Sequence, residues 1–438
     1  MFLERPLMSS HFTPSSHNAP NAKPANRVQS LVSAHGIEVW LVEDYTVPLL
    51  ALEFSFQGGA SQDEVEKAGT SNLLSGLLDE GAGQYDSDAF QSRIEDLALD
   101  LSFNCGSDYF GGTLRTLIKH RDAAFDMLKL ALNDARLNQD SIDRVKAQII
   151  SGLKHEEKDP NSMASKAWRQ SAFPNHAYGR PTRGTYGSVD AIGRDDLLSL
   201  RSKIFARSNL KIAVVGAVNA ADLSSLIDAT FGGLPAKTQL VDIPFIIPAG
   251  QGTTKIIPLD VPQSVIQFGS AGPLRNSPDF MATSVINHIL GGGVFSARLF
   301  KEVREKRGLA YSVYSSLNCY SSAGLFFGAT ATKNERAKES MDVIQEQIAD
   351  LAQNGPTSEE LINAKKYLMG SYALRFDTSS KIAGQLVQIQ NESLGIDYID
   401  RRNSEVDAVT PEQAKKAAFD LLGSGKLLVT VVGQPEGF

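Results

Sequence analysis

Two stretches about half a chain apart carry nearly the same pattern: Leu210–Val218 reads LKIAVVGAV and Leu427–Gln434 reads LLVTVVGQ. Each is a continuous apolar run rich in β-branched residues that ends near a glycine, the composition of a strand covered on both faces. A repeat unit of half of 438 residues means duplicated domains, not a solenoid of short repeats. One ordinary core does not extend over a chain this long, which also favours two domains.

The elements ahead of each echo fall in the same order. In the first half, Val39–Val42, Leu49–Phe56, Leu101–Asn104 and Tyr109–Leu117 read as strands. Helical patterns cover Gly69–Leu78, Ser87–Ala98, His120–Asp134, Gln139–Lys154, Asn161–Ala172, Asp190–Phe205 and Ala220–Phe231. In the second half the strands are Gln263–Gly269, Ala310–Ser316 and Gly324–Ala331, with helices over Asp279–Leu290, Phe295–Lys306, Lys333–Gln353 and Ser358–Leu374. Gly232–Gly252 has glycine, proline and no helical period, so it reads as the linker between residues 29–231 and 253–438. Residues 1–28, rich in Ser, Pro, Asn and His, read as a flexible arm.

Composition excludes several classes. A net charge of −7 without any stripe of Lys and Arg argues against nucleic acid. No apolar run of about 18 residues is present, so no membrane association is expected. Two cysteines, Cys105 and Cys319, make no disulfide framework or zinc knuckle and read as free buried thiols. The seven histidines show no pair at helical ligand spacing. The arm lacks the apolar core of a secretory signal, so the expected compartment is the cytoplasm, or the periplasm if a signal has been removed.

The stretch with the most chemistry is Leu290–Ser316, LGGGVFSARLFKEVREKRGLAYSVYSS. Phe295, Leu299, Phe300 and Val303 recur at helical spacing, predicting one buried face. Lys301, Arg304, Lys306 and Arg307 crowd the end of that helix, and Gly308 stands in the stop position. A strand follows, carrying Tyr311. Taken alone, Arg304 and Tyr311 fit a solvated helix-end cation and a packing aromatic as well as they fit a site.

The three glycines, Ser-Ala-Arg-Leu-Phe, Arg-Glu and Gly-Leu-Ala-Tyr together resemble the C-terminal-domain signature of the pitrilysin/insulinase family of zinc peptidases, which includes the mitochondrial processing peptidase subunits. The resemblance covers the chain from about residue 29 to its end. It implies an α+β fold of two homologous domains, each a mainly antiparallel sheet packed against helices. It also implies that Arg304 and Tyr311 hold peptide and stabilise the transition state.

The family's metal motif, His-x-x-Glu-His on a helix, is absent. Its frame is recognisable in Phe56–Ala60, Gly69 and Gly81, but Asn72, Ser75 and Gly76 stand where the family has His, Glu and His. Neutral Asn and Ser oxygens are weak zinc ligands, Gly has no side chain, and no carboxylate is left to take a proton from water. The family's further Glu ligand falls near Lys146, a cation. The resemblance therefore implies a chain without cofactor of its own. Zinc is expected in a homologous partner subunit bearing His-x-x-Glu-His, with peptide as the substrate. A structural or peptide-binding subunit of a larger assembly, as in the core proteins of the respiratory bc1 complex, is the alternative.

Overall fold

The computed structural model describes residues 28–438. Only Val28 of the expected arm falls within them, and it opens a strand. The first half contributes β1 (Val28–Val32), β2 (Glu38–Glu43), β3 (Leu49–Gln57), β4 (Asp100–Cys105), β5 (Tyr109–Leu117) and β6 (Leu210–Gly216). They form one sheet in the order β1-β2-β6-β3-β5-β4, antiparallel except for the β2/β6 pair. The second half supplies β7 (Thr254–Pro258), β8 (Gln263–Ala271), β9 (Ala310–Tyr320), β10 (Ala323–Lys333) and β11 (Leu428–Gly433). Their order is β7-β11-β8-β10-β9, and again only the pair holding the last strand, β7/β11, is parallel.

The two sheets are one plan used twice, the first with an extra edge strand. The sequence echo now has a physical cause. Gly216 and Gly433 both take a positive φ, 147° and 145°. A Cβ on Gly216 would stand 2.3 Å from the carbonyl oxygen of Leu49, and one on Gly433 would stand 2.6 Å from Ser264 Oγ. Each glycine closes its strand where the neighbouring antiparallel strand begins.

Helices of the first half are α1 (Thr70–Ser75), α2 (Ser87–Asp96), α3 (Arg121–Asn133), α4 (Gln139–Glu156), α5 (Pro160–Ala172), α6 (Tyr186–Ala191), α7 (Arg194–Ile204) and α8 (Ala220–Phe231). The single helix expected over Asp190–Phe205 is two, because Thr185 and Ser188 form a capping box that starts α6 early and Gly193 begins α7 anew. The second half has α9 (Phe280–Asn287), α10 (Ala337–Asn354), α11 (Ser358–Tyr372), α12 (Ser379–Asn391), α13 (Tyr398–Asp407) and α14 (Pro411–Leu422). Strands β1 and β7 and helices α12 to α14 were not read from the sequence.

Leu50, Leu52, Phe54 and Phe56 on alternate positions of β3 enter the first half's own core with Leu73, Leu77, Phe90 and Leu128. The opposite face of that sheet shows Trp40, Val42, Ala213 and Val215, and these are covered by Leu386, Val387 and Ile389 of α12, a helix of the second half. The second sheet is treated the same way: α5, from the first half, lies over β11 and β8. Trp168 of α5 donates its indole N–H to the Leu428 carbonyl at 2.9 Å, and Gln390 of α12 donates to the Ile212 carbonyl at 3.0 Å. Each half thus lends one helix to the other's sheet.

The hairpin tips meet at the same seam. Asp108, between β4 and β5, accepts the Tyr178 hydroxyl at 2.8 Å and the Ser321 amide, between β9 and β10, at 2.8 Å. Among the described residues no helix is long and apolar enough to cross a membrane. Cys105 and Cys319 are free, but only half-buried.

Candidate functional site: an exposed Arg–Tyr pair beside a degenerate metal helix

The path to Arg304 departs from the regular helix expected over Phe295–Lys306. After α9 the chain makes a π turn over His288–Gly292, a 3-10 turn over Val294–Ser296 and a second π turn over Phe300–Glu305. The glycine run has a packing reason: a Cβ on Gly291 would stand 2.5 Å from the Ser315 amide nitrogen of β9. Because the first turns are irregular, Phe295 leaves the apolar face and is 69 % exposed, while Leu299, Phe300 and Val303 are buried as expected. π turns concentrate at functional sites, and here one carries Arg304 in its last residues. Gly308 ends it with φ 58°.

Arg298, from the Ser-Ala-Arg-Leu-Phe run, anchors this segment. It makes a two-pronged contact to Glu360 of α11, at 2.6 Å from Nε and 2.7 Å from Nη2, and a further bond to Asp350 at 2.6 Å. Burial pushes the Glu360 carboxyl up, but hydrogen bonds from Arg298 and Thr357 outweigh it and hold the group below its ordinary range. Sequence reading passed over Arg298.

Strand β9 delivers Tyr311. Val313 pairs with Thr330 and Ala310 with Thr332, leaving Tyr311 and Ser312 opposite the single residue Ala331. That is a β-bulge, which re-aims side chains and often borders active sites. Tyr311 is 82 % exposed. The Arg304 guanidinium carbon stands 4.5 Å from the Tyr311 ring centroid and 4.7 Å from that of Phe300. Phe295 meets Phe300 edge-on at 5.1 Å. The neighbouring cations differ from Arg304: Lys306 and Arg307 both pair with Glu302 at 2.5 Å. Arg304 has no carboxylate or carbonyl partner among the described residues, so its donors are open to a ligand.

Tyr314 is a second exposed aromatic on β9 that sequence reading missed; the Tyr-Ser-Val-Tyr spacing was its signal. It lines a cavity of about 340 Å³ with Gln267, Ser312, Thr330 and, from α5, Asn161 and Ser162. A larger cavity of about 520 Å³ shares Ser162 and Ser165 and continues past Arg183 to the end of α4.

The positions of the missing metal motif lie on α1. Asp63 fixes the start of this helix by accepting from the Gly69 amide at 2.9 Å and from the Ser71 amide and hydroxyl at 3.0 and 2.6 Å. Burial pushes its carboxyl up to about 6 against the pull of these bonds. Asn72 is half-buried, and the Ser75 hydroxyl turns back onto the Asn72 carbonyl at 2.8 Å. Gly76 faces α4, where a Cβ would meet Val145 at 3.2 Å. Lys146 turns away and donates to the Asp190 carbonyl at 3.0 Å. An amide, a self-satisfied hydroxyl, a bare glycine and an apolar neighbour do not suit zinc. Among the described residues no three His, Cys, Asp or Glu side chains gather in a metal-holding group.

Comparison with known proteins identifies the family and the fold. Residues 39–186 match the model described as insulinase (peptidase family M16), and residues 191–368 match the one described as the peptidase M16 inactive domain. A non-peptidase homolog named YmxG from Helicobacter pylori is 26 % identical over 77 % of this chain and 78 % of its own length. An uncharacterized zinc protease of Streptomyces coelicolor is 26 % identical over 83 % of this chain and 80 % of its own. The crystal structure of a peptidase M16 inactive domain from Pseudomonas fluorescens superposes with a TM-score of 0.88 at 29 % identity, covering 93 % of this chain and 98 % of that one. The chain belongs to peptidase family M16, and its two sheets are the two-domain fold of that family.

Proposed function

We propose that this chain is the zinc-less subunit of a two-chain M16 peptidase and lends Arg304 and Tyr311 to a metal site on a homologous subunit. The observation that carries the reading is the state of the pair: Tyr311 stands almost fully in solvent against an Arg304 that has no carboxylate or carbonyl partner among the described residues. A residue kept for packing would be covered, and a helix-end cation kept for solubility would resemble Lys306 or Arg307, paired to Glu302.

In such an assembly the guanidinium holds peptide carbonyls through its fork of donors. The phenol donates to the oxyanion as the scissile carbonyl is attacked. The partner's His-x-x-Glu-His would hold the zinc that would supply the activated water. A second reading, a subunit that only presents peptide, is favoured by the non-peptidase description of the Helicobacter pylori relative. The compartment we propose is the cytoplasm, with the periplasm as the alternative if a signal has been removed.

The test is peptidase activity on a mixed peptide library, for this chain alone, a His-x-x-Glu-His-bearing homologue alone, and the two together. Activity is expected only in the mixture, lost on chelation, and reduced about 100- to 1,000-fold by Tyr311→Phe, the usual cost of one oxyanion donor. A mixture whose rate ignores both Tyr311→Phe and Arg304→Ala would leave a presenting or structural subunit.

A further inference from the structure

A second cavity in the C-terminal half is built from cations without enough acids to match them. It measures about 440 Å³ and lies between α9, the middle of β9 and helices α11, α12 and α13. Its charged lining is Arg275, Arg375, Arg402 and Glu392. Glu392 is taken by Arg275, at 2.8 Å from Nε. Arg375 and Arg402 therefore have no carboxylate among the described residues.

Arg402 is the informative one, because it is only 9 % exposed. Its Nη1 donates to the Leu368 carbonyl at 2.6 Å and to Asn403 Oδ1 at 3.0 Å, and its guanidinium lies 4.5 Å over the Tyr372 ring. Neutral acceptors and a ring face do not neutralise a buried charge, which is costly unless paired. Burial accordingly draws its pKa down.

The hydroxyls around it also offer protons. Tyr398 accepts from Arg275 Nη2 at 2.6 Å, which leaves its own proton to give away. The Tyr372 hydroxyl, which burial pushes up to about 12, has no hydrogen-bond partner among the described residues. His288, on the same wall, is held neutral because burial lowers its pKa, so it adds no charge. The net lining charge is positive in a chain of net charge −7, so the excess is local. Met281, Leu317 and Ile389 add an apolar wall.

We propose that this cleft binds a small molecule through an oxyanion group, a phosphate or a carboxylate, held between Arg402, Arg375 and the Tyr372 and Tyr398 hydroxyls. The volume suits a small ligand and not a protein segment of any length. Planar guanidinium forks match both oxyanions. Because α12 forms one wall and also covers the first half's sheet, an occupied cleft ties the two halves together. The proposal is independent of the Arg304 and Tyr311 reading.

The experiment is titration of the full chain with inorganic phosphate and, separately, with succinate, in low-salt buffer with chloride as control. Heat of binding and thermal midpoint are both recorded. Saturable binding of one of the two is expected, with a rise in midpoint, and the better probe identifies the oxyanion. Arg375→Ala, an exposed position that leaves the fold intact, should weaken it about tenfold, a loss of about 1.4 kcal/mol. Arg402→Lys, which keeps the charge but not the fork, should weaken it further, and Glu392→Gln should tighten it by freeing Arg275. No saturable binding beyond the chloride control, or an affinity untouched by Arg375→Ala, would overturn the assignment.

Discussion

Arg298 reaches from the segment that carries Arg304 to grip Glu360 on α11 with two parallel hydrogen bonds, 2.6 and 2.7 Å long. The contact ties an irregular run of π and 3-10 turns to one of the longest helices of the domain. The Arg298 side chain is only 12 % exposed.

Arg298→Ala should therefore both destabilise the fold and unsettle the site. Leaving Glu360 half-buried without its cation costs about 2–3 kcal/mol, read as a lower urea midpoint. Arg304→Ala, at a half-exposed position, should leave that midpoint within about 0.5 kcal/mol. A stable Arg298→Ala protein would show that the fork is not what holds the segment.

Asp108 joins the two hairpin tips, and burial pushes its carboxyl up even though the Ser321 amide and the Tyr178 hydroxyl pull the other way. Asp108→Ala orphans both donors and should cost about 2–3 kcal/mol, against about 1 kcal/mol for Tyr178→Phe. The two changes share a partner, so a double-mutant cycle should give clear non-additivity. Strict additivity in denaturant titrations would deny the coupling.

Glu53 supplies a pH dependence. It lies on β3, on the face toward α12, half-buried and without hydrogen-bond or ion-pair partner among the described residues. Burial pushes its pKa from 4.5 to about 7. The folded state thus holds the proton longer than the unfolded one. Its contribution is fully present below about pH 4.5 and lost as pH rises through 7. Glu53→Gln should change little at pH 4 but stabilise the protein by about 1–2 kcal/mol at pH 8, allowing for solvent screening. Thermal midpoints of both proteins across that range decide it; equal differences at both ends would remove Glu53 as the cause.

The exchanged helices make a prediction about fragments. Residues 28–252 expressed alone leave Trp40, Val42, Ala213 and Val215 uncovered and present α5 without its sheet. Residues 253–438 alone have the reverse fault with α12. Exposed apolar faces of this kind promote aggregation. Each fragment should be insoluble or molten alone and should fold when the two are co-expressed, recovered as a 1:1 complex by affinity purification of one. Monomeric, cooperatively unfolding fragments would contradict the role given to α5 and α12.

Much of the site and fold was legible from the chain itself. The Gly216 and Gly433 echoes marked a duplication because the same steric crowding recurs where each strand meets its neighbour. The strands around Leu50–Phe56 and Tyr109–Leu117 were readable because an apolar face with period two leaves a local trace. Asn72, Ser75 and Gly76 could be judged as ligands from the sequence, since ligation depends on residue identity, and the structure adds their place on α1 and at its end. Helices α12 to α14 left weaker traces, and Phe295 misled because it sits in a 3-10 turn, outside the regular helix whose phase the pattern assumed.

What the sequence determined by itself was composition, period and the presence or absence of chemically able side chains, all properties of neighbours along the chain. Only the tertiary structure decided that α5 and α12 cross to the opposite sheets, that Arg304 and Tyr311 meet while Lys306 and Arg307 are tied to Glu302, and that Arg402 is buried without an acid. The helix crossings arise from contacts between residues far apart in sequence, such as Trp168 with Leu428 and Gln390 with Ile212, and the pairing around Arg304 from irregular turns whose geometry the local pattern does not carry. An apolar face shows that it must be covered, but nothing local specifies which distant helix covers it.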